Sequence, residues 1–145
     1  MAALIAFLRK YVLYIALVQA LVATLGSLYF SEIAGIVPCV LCWYQRICMY
    51  PLVVILAVGI LKKDKLVAHY VLPLSIIGFL IATYHFLLQM GVVPESVAPC
   101  VAGVSCASRF VQWFGFVTIP FLSMVAFAVI TGCMVFFLKQ KKYVK

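Results

Sequence analysis

Four long apolar stretches, separated by short polar ones, organise this chain. Residues 11–30 run for twenty positions without a charge, enough to cross a hydrocarbon core of roughly 30 Å as a helix. The run exceeds the about 7–15 apolar residues of a cleaved signal peptide, so it is read as a retained span. A second span is predicted over 43–61, a third over 66–88 and a fourth over 117–138. Pro73 and Gly78 fall inside the third, as spanning helices tolerate. The polar connections are an outer loop at 31–42, a tight turn at Lys62-Lys63-Asp64-Lys65, and a longer outer loop at 89–116. Within the last, Arg109 to Phe116 is rich in Phe and Trp and reads as a short interfacial helix. The predicted fold is all-α: an integral membrane four-helix bundle in one domain.

Composition narrows the class further. The 145 residues are 68% hydrophobic and only 10% charged, with three acidic side chains. Soluble domains average about 45–50% apolar and about 25% charged, so only a membrane protein fits comfortably. The excess of base then reports orientation and not nucleic-acid binding. With four spans both termini share a side. That side holds Arg9, Lys10, Lys62, Lys63, Lys65, Lys139, Lys141, Lys142 and Lys145, and the other only Arg46 and Arg109. The positive-inside rule makes the termini cytoplasmic and puts both longer loops outside.

Six cysteines remain to be placed. Cys39 and Cys42 form a CxxC at the mouth of the second span, and Arg46 follows four residues later. At about 100° per residue these three share one helix face. A thiol at a helix N-terminus beside an arginine favours the thiolate, and this reading places it at Cys42. Counting the span from Trp43 leaves Arg46 inside the membrane edge, where a charge is a functional hypothesis against the alternative of snorkelling to headgroups. Cys100 and Cys106 lie in the second outer loop. Cys48, half a helical revolution from Cys39, and Cys133, deep in the fourth span, read as small buried hydrophobes.

Two pairs on an oxidising side are able to form disulfides. A Cys39–Cys42 bond closes too small a loop to stabilise much, and such pairs suit exchange better than stapling. Two adjacent pairs therefore suggest a relay that carries electrons inward from the loop. No Gly-rich dinucleotide fingerprint is present, and Trp43 after Cys42 excludes a CxxCH haem site. A lipid-soluble acceptor needs only an apolar slot and a polar donor. Arg46 supplies the donor, with His85 at a similar depth on the third span. Two other readings compete: a metal-handling membrane protein using Cys39, Cys42, Cys100 and Cys106 as a thiolate cage, and a scaffold with two structural disulfides.

The stretch Cys39-Val40-Leu41-Cys42-Trp43-Tyr44-Gln45-Arg46, with Leu25 to Phe30 before it and Tyr84-His85 after it, resembles the DsbB family, and within it the BdbC-type members of Gram-positive bacteria. These are quinone-dependent membrane oxidoreductases that reoxidise an extracytoplasmic thiol oxidase of thioredoxin fold (DsbA-like). The resemblance covers nearly the whole chain, and C-x-x-C-x-x-Q-R is a specific pattern. It implies a bacterial cell-membrane enzyme with a membrane quinone, menaquinone or ubiquinone, as acceptor. It further implies that the partner attacks Cys100, that Cys106 then attacks Cys39, and that Cys42 is released facing the quinone. Arg46, His85 and Gln45 are the implied quinone-binding residues, and no metal is implied. Only five residues separate Cys100 from Cys106, fewer than in the best-known enterobacterial members.

Overall fold

The structure is a computed structural model that describes residues 2–100, 104–108 and 117–143. Four helices dominate it: α1 (Ala2–Leu28), α2 (Val40–Leu61), α3 (Val67–Gln89) and α4 (Ile119–Tyr143), with no strand among the described residues. Each contains a segment long and apolar enough to cross a membrane, as the pattern of charge-free stretches predicts. The predicted interfacial helix at 109–116 lies outside the described residues.

The helices end where the sequence offers local reasons. α1 runs into a π-helical turn, Tyr29–Ile33, in which the Ala34 N–H bonds to the Tyr29 carbonyl at 3.0 Å. Gly35, at φ +66°, then reverses the chain. Pro38 and Cys39 lead into α2, with Cys39 extended at the N-cap and its carbonyl accepting the Trp43 N–H at 3.1 Å. Between α2 and α3, Asp64 Oδ1 accepts the Leu66 N–H at 2.7 Å and holds the tight turn.

Each helix packs on its neighbour in sequence, and α1 closes the ring against α4, while α2 and α4 scarcely touch. One half of the bundle is filled. Leu52, Leu56, Phe127, Ile130 and Met134 are fully buried there with Val67, Val71 and Ala82. Helix α3 presses so close to α4 that a Cβ on Gly78 would overlap the Phe127 ring. Ser75 and Thr131, otherwise costly in an apolar interior, bond to each other at 3.0 Å. At the opposite end a smaller cluster of Cys39, Leu41, Leu88, Ala98 and Cys106 seats the described part of the loop after α3 on α2 and α3. The gap between α1, α2 and α4 beneath that loop stays open as a cavity.

Candidate active site

The site is assembled at the mouth of α2. The sulfurs of Cys39 and Cys42 are hydrogen-bonded at 3.2 Å and are not joined. Cys39 is buried and Cys42 half-buried. From α3 comes His85, only 1% exposed, with Nε2 3.7 Å from the Cys39 sulfur and 3.1 Å from the Cys106 carbonyl. On its other side Nδ1 lies 3.0 Å from Gln45 Nε2. These contacts define the ring. A carbonyl only accepts, so Nε2 carries the hydrogen. Nδ1 is then bare and accepts from the Gln45 amide. Gln45 thus fixes which face of the imidazole donates towards Cys39 and Cys106.

The hydrogen-bonded Cys42 sulfur and the His85 ring hold the Cys39 thiol far below the ordinary thiol range, at about 4, against burial, which works the other way. These contacts favour the thiolate at Cys39, whereas the helix-mouth argument points to Cys42 and does not include the imidazole, 46 positions away.

Cys100 and Cys106 are joined in a disulfide. Cys106 is 1% exposed, while Cys100 is half-buried at the surface of the loop. The loop is held by successive residues of α3. His85 donates to the Cys106 carbonyl, Gln89 Nε2 donates to the Ser108 carbonyl at 3.0 Å, and the Tyr84 hydroxyl reaches the Val97 carbonyl at 3.4 Å. Glu95 accepts a hydrogen bond from Ser105 within the loop itself. The Cys39 and Cys106 sulfurs and a ring nitrogen of His85 lie within 4.8 Å of one another.

Beneath the sulfurs lies a cavity of about 340 Å³, bordered by Cys42, Arg46, Met49 and Tyr50 of α2, Ser27 of α1 and Ser123 of α4. Its size falls within the about 300–1,000 Å³ range of small-molecule sites. Arg46 Nη2 donates to the Ser27 carbonyl at 2.8 Å, and the guanidinium stands 5.3 Å from the Trp43 ring centroid. The Tyr50 hydroxyl is buried without a hydrogen-bond partner among the described residues. Of the residues named from the sequence, Cys39, Cys42, Cys106, Arg46, His85 and Gln45 line this cavity, and Cys100 is tied to it only through its bond to Cys106. Cys48 is buried in the bundle core and Cys133 packs against it. Sequence reasoning missed Ser27, Tyr50 and Gln89. Tyr50 follows Arg46 by one turn, and Gln89 follows His85 by one turn, so i, i+4 spacing from a known site residue was the available signal.

Comparison with known proteins establishes the family. The family model "Disulfide bond formation protein DsbB" matches residues 9–137. The chain is 52% identical over 118 residues to "Disulfide bond formation protein C" of Bacillus subtilis, covering 81% of this chain and 86% of the relative. It is 50% identical over 122 residues to "Probable disulfide formation protein C" of Halalkalibacterium halodurans, covering 84% and 89% respectively. It is 43% identical over 138 residues to a "Probable disulfide formation protein" of Coxiella burnetii, covering 94% and 90%. No solved structure matches. A match that begins before the first span and ends within the last, around two cysteine pairs whose sulfurs meet above a cavity, makes this chain a member of the DsbB family of disulfide bond formation proteins.

Proposed function

We propose that the protein is a thiol:quinone oxidoreductase of the bacterial cell membrane, which reoxidises an extracytoplasmic, thioredoxin-fold thiol oxidase of the DsbA-like kind. The observation that carries this reading is the contiguity of the two pairs. The Cys106 sulfur of the loop lies within 4.8 Å of the Cys39 sulfur, while Cys42 borders the cavity.

The steps follow from burial and reach. A reduced partner's thiolate attacks Cys100, the less buried sulfur of the loop disulfide, and Cys106 leaves as a thiolate. Cys106 attacks Cys39 of an oxidised Cys39–Cys42 pair, and Cys42 leaves as a thiolate at the cavity. The partner's second thiol attacks its own sulfur bonded to Cys100, so the partner departs with a disulfide. Cys100 then attacks Cys106, restoring the loop disulfide and returning Cys39 as a thiolate. Two electrons now rest on Cys39 and Cys42, and the protons of the partner's two thiols that this pair does not hold pass to solvent, the distribution in which the loop pair is bonded and the inner pair is not.

A quinone supplies a two-electron, two-proton acceptor. The cavity fits such a group, having apolar walls, the Arg46 guanidinium near Cys42 and the unpartnered Tyr50 hydroxyl at its border. Arg46 offers a charged donor to a carbonyl oxygen. His85, oriented by Gln45, stands where a proton must leave or reach Cys39. The nine-to-two split of basic residues supports cytoplasmic termini with both pairs outside.

Quinone reduction driven by the reduced partner, compared with a small dithiol, tests the order. Cys100→Ser is expected to lose the partner-driven rate and keep the dithiol-driven one. Cys42→Ser is expected to lose both. Native partner-driven turnover in Cys100→Ser would refute the loop pair as the acceptor of the partner's electrons.

A further inference from the structure

The same three donor atoms that make exchange possible also form the beginnings of a metal site. Cys39, His85 and Cys106 are each at least nine-tenths buried, and their donor atoms lie within 4.8 Å of one another. Cys42, its sulfur 3.2 Å from that of Cys39, lies outside this 4.8 Å group and has to turn inward to become the fourth donor. Zinc bound by thiolate and imidazole has bonds of about 2.3 and about 2.0–2.1 Å, which give tetrahedral edges of about 3.5–3.8 Å. The distances of 3.2 and 3.7 Å from Cys39 to Cys42 and His85 are already close to those edges.

We infer that the fully reduced protein binds one borderline-soft divalent cation, of which zinc is the type, through Cys39, Cys42, His85 and Cys106, and that this site exists only while the loop disulfide is open. A sulfur in a disulfide offers no thiolate, so the loop-oxidised protein retains only the CxxC pair and His85. A dithiol donor that opens Cys100–Cys106 delivers two electrons and leaves two thiols. Cys106 then completes a three-sulfur, one-nitrogen set of the kind structural zinc favours. The cation displaces the proton that each thiol still carries, and no electrons move.

The surroundings suit the change. His85 gives up its bond to the Cys106 carbonyl and presents Nε2 to the metal. Its Nδ1 takes a hydrogen, and the Gln45 amide turns to accept it through Oε1, the usual outer partner of a metal-bound imidazole. Once Cys39 and Cys106 are both ligands, neither sulfur is free to attack, so the enzyme is held reversibly in its reduced form. The site differs from a cage of the four loop and CxxC cysteines, because His85 replaces Cys100.

The test reads metal affinity and is independent of quinone coupling. Protein reduced by a phosphine, freed of quinone and kept anaerobic is titrated with Cd²⁺, following thiolate-to-metal absorption, and with Zn²⁺ against a chromophoric chelator. One ion per chain with three thiolates is expected. Protein with the loop disulfide intact and the inner pair reduced is expected to bind at least about a hundredfold more weakly. Cys106→Ser and His85→Ala are each expected to weaken reduced-state binding by at least about tenfold. A Cys48→Ser, Cys133→Ser double variant is expected to bind as the parent does. Equal affinity with the loop closed or open, parental affinity in Cys106→Ser, or loss of binding in the double variant would each overturn the site.

Discussion

The two ends of the bundle are built on opposite terms. At one end α3 and α4 are in direct contact, Phe127 lies against Gly78, and the polar pair Ser75 and Thr131 satisfies itself. At the other, α2 and α4 stand apart around a cavity of about 340 Å³, and side chains of α3 hold a loop over it by bonding to main-chain carbonyls. The filled end derives its stability from complementary shape, which tolerates little change. The hollow end keeps open space, and the Tyr50 hydroxyl at its border has no hydrogen-bond partner among the described residues. Stability and chemistry are therefore separable along the membrane normal in this small protein.

Substitutions at the two ends should accordingly fail in different ways. The largest effect is expected from Arg46→Ala. Loss of a charged donor costs about 1.5–3 kcal/mol, so the apparent KM for quinone should rise about tenfold to a hundredfold. Disulfide exchange with the partner, measured in single turnover without quinone, should change little. An unchanged KM would show that Arg46 serves only to join α2 to α1 through Ser27.

Gly78→Ala carries the comparison to the filled end. The added methyl meets the Phe127 ring, and overpacking of this kind costs about 1–3 kcal/mol. Thermal unfolding in detergent should show a lower Tm, with turnover per folded molecule retained. Parental stability would mean that the α3–α4 contact yields more readily than its geometry indicates.

A separate effect, on stability alone, should appear on varying pH. The Cys39 thiol in the folded, reduced protein sits at about 4, against roughly 8.5 for an unperturbed cysteine. Between these values the unfolded chain binds the extra proton, so stability of the reduced form rises with pH. The contribution is complete above the unfolded value and is lost as pH falls through about 4. Unfolding of the reduced protein from pH 5 to 8, compared with Cys39→Ala, should show this slope only in the parent. Equal slopes would remove Cys39 as its source.

Cys48→Ala should have the least influence on activity. Its sulfur lies in the bundle core, away from the relay, so quinone reduction should match the parent with a stability loss of about 1 kcal/mol. A well-folded variant lacking turnover would place Cys48 among the working thiols.

Much of this was legible in one dimension. Span length and charge-free runs are local properties, so four membrane-crossing helices follow from hydropathy alone. The placing of Cys42 and Arg46 on one face follows from helical periodicity, whereas Cys39, extended at the N-cap, lies just outside that helix, and a family pattern in consecutive residues needs no tertiary knowledge to be seen. Contacts between elements were a different matter. Only packing of α3 on α2 brings His85 to Cys39 and lets Gln45 set its tautomer, and the imidazole adds to the larger effect of the neighbouring Cys42 thiol in lowering the Cys39 thiol. Only docking of the loop on α3 buries Cys106 more deeply than Cys100 and sets its sulfur near that of Cys39. The physical reason is range. Hydropathy and helix phase act over a few residues, whereas hydrogen bonds and desolvation act across space, between positions that become neighbours only when the chain has folded.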